Sequence, residues 1–386
     1  MPDAYILGIE SSCDETAAAV VRSGAYVVSN VVASQIATHQ PYGGVVPELA
    51  SREHLRAIVP VVRAALAQAK QTYASFDAIA VTQGPGLAGA LLVGISYAKA
   101  LAFALDKPLI AVNHLEGHIH AVLLEEREKG NHDVQFPLLA LVVSGGHTHL
   151  YLAQLHDETW TYDNIGHTRD DAAGEAFDKV AKLLALGYPG GPIIDRLAAH
   201  GNPASVKFSS AQIKHRDRRS KTGAESAHAV IDRPRFDFSY SGIKTAVLRY
   251  VEMHAMNAAI EARRNALLSI TKPKLEDYLT HCDQQTLDLV ASFQNAMVHD
   301  LVSRTLMAAR ENEVATIFIT GGVAANHELR KTFEREAANE GLAVFFPSRP
   351  LATDNAAMIA AAAYPKFLAK QWAPLDFSAE AGLVLR

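Results

Sequence analysis

Glu10-Ser11-Ser12-Cys13-Asp14-Glu15-Thr16 is a polar stretch between two short apolar runs, at residues 5–9 and 17–21. Short apolar runs bounded by small polar residues are typical of strands joined by turns. A second turn signal, Arg22-Ser23-Gly24, leads from the second run into a third strand-like segment. The beginning of the chain therefore predicts a meander of three strands.

The same plan returns later in the chain. Residues 138–143 are again apolar, Ser144-Gly145-Gly146-His147-Thr148 is a small polar loop that ends in threonine, and residues 149–152 form a returning strand. Repetition of one supersecondary unit indicates internal duplication. Helical patterns alternate with short strand patterns around both hairpins, which is typical of α/β lobes. We therefore predict an α/β fold built from two duplicated lobes.

Apolar periodicity predicts the other elements. The first helix is predicted to carry its apolar positions at Leu49, Leu55, Ile58, Val59, Val62 and Leu66. The remaining predictions are strands at 78–81, 109–112 and 316–319, a helix ending near residue 105, and helices at about 174–186 and 284–311.

Composition sets broad limits on function. The chain has 386 residues, of which 49% are hydrophobic, enough for two compact lobes with substantial cores. Its net charge of −5 means that nucleic acid would have to bind at a local basic patch or through a partner. Two cysteines make neither a disulfide framework nor a thiolate zinc site, which favours a reducing cytoplasm. The longest apolar stretch, residues 91–105, contains Lys99 and is predicted as a buried helix, not a membrane span.

His114 and His118 lie one helical turn apart, so a helix would present both imidazoles on one face. Together with a carboxylate they would form a two-histidine, one-carboxylate metal site with open coordination positions. Asp354, in Thr353-Asp354-Asn355, is the carboxylate we predict. The alternative is that Asp354 only caps the helix that follows.

Two further residues, Glu116 and His147, have more than one possible role. Glu116 lies between the histidines, as in the His-Glu-x-x-His zinc proteases, but it stands two residues after His114 and about 200° around the helix. We therefore expect a salt-bridged or solvated glutamate rather than a catalytic base. His147, beside two glycines, is either a fourth ligand, a phosphate donor or a residue bonded to the backbone.

Glycine-rich turns at strand ends suggest a nucleotide site, because glycine lets backbone N–H groups approach a phosphate closely. Such turns are found at residues 82–86, 144–148 and 320–326. Asp178 and Asp195 stand near a further Pro-Gly-Gly-Pro break and are candidates to accept protons from a ligand. The alternative is that they pair on the helix surface with Lys179 and Arg196.

Two stretches have the composition of insertions. Residues 209–233 carry the basic run 214–221, which has the character of a solvated surface loop, with RNA contact as the alternative. Residues 255–283 are polar and are predicted to form helical decoration.

Six motifs together closely resemble the TsaD family of tRNA N6-adenosine threonylcarbamoyltransferases, in family order over nearly the whole chain. They are Gly8–Thr16, His114-Leu115-Glu116-Gly117-His118, Val143–Thr148, Asp171–Lys179, Asp237–Thr245 and Gly321-Gly322-Val323-Ala324-Ala325-Asn326.

The resemblance implies the fold of two ribonuclease-H-like lobes shared by actin, heat-shock chaperones and sugar kinases. We expect an N-terminal lobe at 1–135, with segment 357–386 packing back on it, and a C-terminal lobe at 136–356. The implied reaction moves a threonylcarbamoyl group from threonylcarbamoyl-adenylate to N6 of the adenosine 3′ to the anticodon, in tRNAs that read codons starting with A, and releases AMP.

The resemblance also implies roles for individual residues. His114, His118 and Asp354 would hold one divalent metal per subunit, with iron(II) expected ahead of zinc. Asp14 and Glu15 match the family's acidic first loop and are the predicted catalytic residues. The residues implied to line the adenylate site are Val142, Val143, Ser144, Gly145, Gly146, Asp178, Gly191, Asp195 and Asn326.

The implied partners are tRNA and the TsaB-type and TsaE-type proteins of bacterial relatives, although a mitochondrial relative acts as a homodimer. Three other classes compete with the transferase. A metallopeptidase is disfavoured by the position of Glu116, a sugar or acetate kinase would not need the histidine pair, and a non-catalytic scaffold of the TsaB type would be expected to lack it.

Overall fold

The computed structural model describes residues 3–131, 134–157, 159–208, 236–270 and 272–386. The basic run at 214–221, and with it the question of RNA contact, lies outside the described residues. Ten strands are present in the described part: β1 Tyr5–Glu10, β2 Glu15–Arg22, β3 Tyr26–Ser34, β4 Ala78–Gly84, β5 Leu109–Asn113, β6 Leu138–Val143, β7 Thr148–His156, β8 Thr159–His167, β9 Thr316–Thr320 and β10 Ala343–Phe345.

The helices of the same residues complete an alternating α/β pattern. They are α1 Ile36–His39, α2 Pro47–Gln68, α3 Ala88–Leu105, α4 His114–Glu128, α5 Ala173–Leu183, α6 Gly190–Ala198, α7 Ser241–Met253, α8 Asn257–Leu268, α9 Leu275–His281, α10 Gln284–Glu311, α11 His327–Asn339, α12 Arg349–Ala352 and α13 Ala356–Leu368.

The two sheets have one topology. The first has the order β3-β2-β1-β4-β5 and the second the order β8-β7-β6-β9-β10. In each sheet the first three strands of the chain form an antiparallel meander. The fourth strand, β4 or β9, pairs in parallel with the first strand of that meander, and the fifth strand pairs in parallel with the fourth. The predicted duplication and α/β class are confirmed, because two identical strand orders arise from the two hairpins seen in the sequence.

Helix α4 lies between the two halves of the molecule. On one side Ala121 and Leu124 pack with α13 in the core of the first sheet. On the other side Leu115 and Ile119 pack with strands β6 and β7 of the second sheet. A helix with apolar contacts on both sides is buried nearly all round, so its polar residues must find partners inside the protein.

Helix α13 covers the inner face of the first sheet, although it follows the whole second sheet in the chain. Its alanines pack against β1, β2 and β4. The contact is so close that a Cβ on Gly8 would lie 2.3 Å from the carbonyl oxygen of Ala356. Beyond α13 the chain stays on this half, where the N–H of Ala373 donates to Leu109 O over 2.7 Å.

Two predictions about helices need correction. In α2, Ile58, Val62 and Leu66 are buried, but Leu55 and Val59 are 66% and 36% exposed, and Leu49 is only partly buried. The apolar stripe is therefore wider than the face that the sheet covers.

Region 255–283 is helical, as predicted, but it is not a peripheral decoration. Met256, Ile260, Tyr278 and Cys282 are buried in the core of the second half. Arg263 is 1% exposed and donates to the carbonyl oxygens of Leu184 and His281 and to the Thr286 hydroxyl.

Among the described helices, α3 has the length and apolar composition that a membrane crossing requires. In this structure one side of it, with Leu91, Ile95 and Ala98, is buried in the core under the first sheet. These contacts agree with the prediction of a core helix.

Candidate metal and nucleotide site

His114 and His118 stand at the start of α4, directly after β5. Asn113 caps this helix by accepting a hydrogen bond from the N–H of Leu115 over 2.9 Å. The Asp354 Oδ1 atom lies 3.2 Å from His118 Nε2 and 3.6 Å from His114 Nε2. One possible ligand atom from each of these residues falls within 4.8 Å of the others, so the three predicted ligands form a group that could hold a metal ion.

Asp354 does not cap α13. That role belongs to Asn355, whose side-chain oxygen accepts from the N–H of Met358 over 3.0 Å. The capping alternative for Asp354 is therefore wrong, and its carboxylate faces the two imidazoles.

The chemistry of the group fits a divalent cation. His118 is fully buried, its Nε2 has only the contact with Asp354, and its Nδ1 has no hydrogen-bond partner among the described residues. Buried polar atoms are normally satisfied, and leaving one unpaired is costly. Burial lowers the pKa of His118, which keeps the imidazole neutral and able to donate a lone pair.

The carboxylates around the histidines favour positive charge at this point. Burial opposes protonation of His114, but the carboxylates of Asp354 and Glu10 raise its pKa to about 9. Burial would also raise the pKa of Asp354, yet the imidazoles of His114 and His118 hold that pKa well below its usual range. Without a metal, a proton on His114 therefore supplies the positive charge.

Glu10, at the end of β1, belongs to this cluster and was missed in the sequence analysis. It is fully buried, and its Oε2 atom lies 3.1 Å from His114 Nδ1. The one signal that could have identified it is a carboxylate at the end of an otherwise apolar strand.

Glu116 and His147 do not join the ligand group. Glu116 is buried on another side of α4 and forms a salt bridge of 2.7 Å with Lys366, as expected of a structural glutamate. The ring centroid of His147 lies 5.9 Å from that of His114, and its backbone N–H donates to Ser144 Oγ over 3.2 Å. Burial lowers the pKa of His147 to about 3, so its ring stays neutral.

The loop between β6 and β7 lies beside the ligand group, because His147 of this loop is close to His114. Val142 and Val143 are buried strand residues, so only their backbone could reach a ligand. The loop is closed by the N–H of Ser144, which donates to His147 O over 2.8 Å. Gly145 and Gly146 are exposed, with open space where a Cβ would stand.

The turn after β9 lies against this loop. Gly321 has φ +93°, and a Cβ there would lie 2.4 Å from Val143 O. Glycine is needed at this position both for its backbone conformation and for the close approach.

Asp178 faces the start of α6 rather than solvent. Its Oδ1 accepts from the N–H of Gly190 over 2.7 Å. Burial raises its pKa to about 6, against the opposing effect of hydrogen bonds from Gly190 and Gly191. Lys179 pairs instead with Asp171 over 2.6 Å, so the alternative of a surface pair between Asp178 and Lys179 is wrong.

Asp195 also forms its hydrogen bonds with a distant residue and not with Arg196, its neighbour in the sequence. Its Oδ2 lies 2.7 Å from His327 Nδ1 and accepts from the N–H of His327 over 3.1 Å. Arg196 donates to the carbonyl oxygen of Pro192, so the proposed pair with Asp195 is not formed.

Asn326 is held within the protein by both ends of its amide. The oxygen accepts from the N–H of Leu329 and thereby caps α11, and the nitrogen donates to Gln294 Oε1, each over 2.9 Å. A ligand at this position would meet the second N–H of the amide, the remaining lone pair of its oxygen or the backbone.

The acidic loop between β1 and β2 lies next to the metal ligands. Burial, together with the charge of Asp354, raises the pKa of Asp14. Burial raises the pKa of Glu15 to about 8, although a hydrogen bond from Ser34 over 2.8 Å opposes this. His54, also missed in the sequence analysis, holds this loop through Thr16 Oγ1 at 2.7 Å and Cys13 O at 3.0 Å.

Two duplicated sheets with a His-His-Asp group that could hold a metal ion define a protein of the actin-like fold class. A solved structure of full-length HypF has this fold, with a TM-score of 0.55 at 12% identity over 96% of this chain and 56% of that one. The family model for TsaD, tRNA N6-adenosine threonylcarbamoyltransferase, matches residues 26–361. The chain belongs to this family.

Curated relatives carry the same description along their full length. The tRNA N6-adenosine threonylcarbamoyltransferase of Koribacter versatilis is 70% identical over 386 residues, which is 100% of both chains. That of Syntrophotalea carbinolica is 50% identical over 357 residues, or 92% of this chain and 90% of the relative. The chain is thus a transferase that modifies tRNA, and the metallopeptidase, kinase and scaffold alternatives are set aside.

Proposed function

We propose that this chain transfers the threonylcarbamoyl group from threonylcarbamoyl-adenylate to N6 of the adenosine 3′ to the anticodon, in tRNAs that read codons starting with A, and releases AMP. The observation that carries the proposal is the group of two buried histidines, His114 and His118, with the partly buried Asp354, next to an open glycine loop. The reaction belongs in the cytoplasm, where a reducing environment suits free thiols.

His114, His118 and Asp354 would hold one divalent cation, which we propose to be iron(II), with zinc as the alternative. Imidazole and carboxylate ligands suit both ions. A cation bound there would supply positive charge to polarise substrate oxygens. The other steps fall to side chains and backbone groups of the chain.

The adenylate is proposed to lie between the two halves, which we assign to 1–135 with 357–386, and to 136–356. The open space over Gly145 and Gly146 leaves room for phosphate oxygens against backbone N–H groups. The residues proposed to contact the adenylate are Val142, Val143, Ser144, Gly145, Gly146, Asp178, Gly191, Asp195 and Asn326.

Asp14 and Glu15 are proposed as the catalytic acids and bases. In the transfer, the N6 amine attacks the carbamoyl carbon, the bond from that carbon to the phosphate oxygen breaks, and AMP leaves. Glu15 would take the proton lost by the amine; its Oε2, which is buried and has no hydrogen-bond partner among the described residues, supports this role. A pKa of about 8 suits proton transfer near neutral pH.

The test is to incubate the chain, with and without TsaB-type and TsaE-type proteins, with threonylcarbamoyl-adenylate and unmodified tRNA. Digestion and mass spectrometry should then find threonylcarbamoyladenosine with the wild type and not with His114→Ala. The matched control is His120→Gln, a buried histidine of the same helix that contacts Tyr162 instead of the metal group. Absence of product under every partner combination would refute the proposal.

A TsaB-type partner is proposed to bind the outer face of α2 and α3, and a TsaE-type protein to join that assembly. This face carries four exposed apolar side chains: Leu55 at 66%, Val59 at 36%, Leu92 at 52% and Phe103 at 78%. Contiguous exposed apolar surface is typical of protein interfaces. Leu55→Asp should abolish co-elution with the partner, whereas Leu248→Asp, an exposed leucine on α7, should not.

A further inference from the structure

We propose that Glu10 is a positioning residue that fixes the tautomer of His114 and thereby sets the metal affinity of the site. The inference rests on the proposed function only in taking His114 as a metal ligand. It concerns a residue outside the ligand group itself.

The hydrogen bonds around Glu10 come from three groups that can each donate. The N–H of Ser12 donates to Oε1 over 2.5 Å, and the Thr82 hydroxyl donates to Oε2 over 2.6 Å. The third group is His114 Nδ1, which lies 3.1 Å from the same Oε2 atom. Ser12 Oγ also lies 3.2 Å from His114 Nδ1.

These contacts determine where the proton of His114 sits. An ionised carboxylate only accepts hydrogen bonds, so the contact with Glu10 requires an N–H at Nδ1. The neutral ring then has its lone pair on Nε2, the nitrogen that faces Asp354 at 3.6 Å. A carboxylate behind a histidine ligand commonly orients the ring and raises its basicity in this way.

Burial prevents water from taking over the role of the Glu10 carboxylate. Glu10 and Thr82 are each at most 1% exposed, so water cannot replace a lost acceptor behind the ring. Glu10 is the last residue of β1, and this strand is fixed between β2 and β4. The carboxylate is therefore held in place independently of the metal.

Glu10→Gln is the sharpest perturbation, because the amide has one oxygen and one NH2 group. The Ser12 N–H cannot reverse its role, so the amide oxygen must turn to Ser12 and the NH2 group to His114. Nδ1 would then accept a hydrogen bond, and the proton would move to Nε2. The nitrogen that faces Asp354 would no longer be free to bind a metal.

Glu116→Gln is the matched control. It neutralises a different buried carboxylate, which lies on α4 and pairs with Lys366, without changing the contacts of His114. Thr82→Val is a second, milder change, because it removes one donor to Glu10 but leaves the acceptor for His114.

The experiment measures zinc affinity of the metal-free full chain by competition with a chromophoric chelator. The His114 tautomer is read by 15N NMR of histidine-labelled, metal-free protein above pH 9, where the ring is neutral, since its pKa is raised to about 9. We expect Glu10→Gln to weaken zinc binding roughly 10- to 100-fold and to move the proton to Nε2. Glu116→Gln and Thr82→Val should keep both properties near wild type.

Zinc affinity within twofold of wild type in Glu10→Gln, with the proton still on Nδ1, would overturn the inference. If Glu10→Gln does not fold, Glu10→Asp is measured instead: it keeps the charge but draws the carboxylate back, and unchanged affinity would again overturn the inference. Failure of the proposed function looks different, since wild type would then make no threonylcarbamoyladenosine whatever its zinc affinity.

Discussion

Gly321→Ala tests whether the turn after β9 is held against the β6–β7 loop as closely as the structure indicates. The added Cβ would lie 2.4 Å from Val143 O, a backbone atom of a buried strand, at a φ of +93°. With ψ +165° this backbone conformation is essentially restricted to glycine, and it costs a residue with a Cβ about 1–3 kcal/mol. Overpacking a rigid site adds about 1–3 kcal/mol.

The free energy of unfolding should therefore fall by about 2–6 kcal/mol, measured by urea denaturation. The variant should still fold, since domains of this kind are stable by about 5–15 kcal/mol, but it should bind AMP more weakly because the loop carrying Gly145 must shift. Gly322→Ala is the matched control: it lies in the next position, with open space around its Cβ. A Gly321→Ala variant within about 0.5 kcal/mol of Gly322→Ala, the scatter expected of neutral substitutions, would refute the reasoning.

Three further predictions concern the metal, a buried acid and the basic insertion. Removing the metal with a chelator should lower the melting temperature of wild type, and zinc should restore it; no such shift is expected in His118→Ala, and an equal shift there would contradict the site. The pKa of Asp178 is raised to about 6 in the fold, so its stabilising contribution is complete at low pH and is lost as pH rises through 6. Asp178→Asn should thus gain melting temperature over wild type between pH 4 and pH 7.5, and a constant difference would exclude this titration. Joint neutral replacement of Arg216, Arg218 and Arg219 should leave tRNA affinity and its salt slope unchanged if the segment is a solvated loop, whereas a shallower slope in binding titrations would establish phosphate contacts.

The duplicated fold was predictable because each hairpin is local. Its strands and its turn are adjacent in sequence, so apolar runs and small polar loops reveal both copies. The buried face of α2 was less predictable, because Leu55 and Val59 continue the apolar stripe onto a surface that the sheet does not cover. Helical periodicity does not distinguish a core from an interface.

The metal site was predictable in part for the same reason. His114 and His118 are neighbours on one helix, whereas Asp354 was identified only by its residue type and by family resemblance. Glu10 and His54 were missed because their roles depend on contacts between elements far apart in the chain. Pairs such as Asp195 with His327 likewise cannot be predicted from local sequence patterns.

The position of α13 has a consequence for biosynthesis. Strand β1 emerges first from the ribosome, but the helix that covers its inner face at Gly8, and the ligand Asp354 just before that helix, are made after the whole second sheet. At roughly 5–20 residues per second, translation from the end of β5 to α13 takes on the order of tens of seconds, and during this time the first sheet lacks the helix that covers it. A nascent chain that ends before Asp354 and α13 lacks one of the three metal ligands and the helix that covers the first sheet. Truncated mRNAs of this kind would yield protein with an exposed apolar sheet and an incomplete metal site, which is a target for chaperones and proteases.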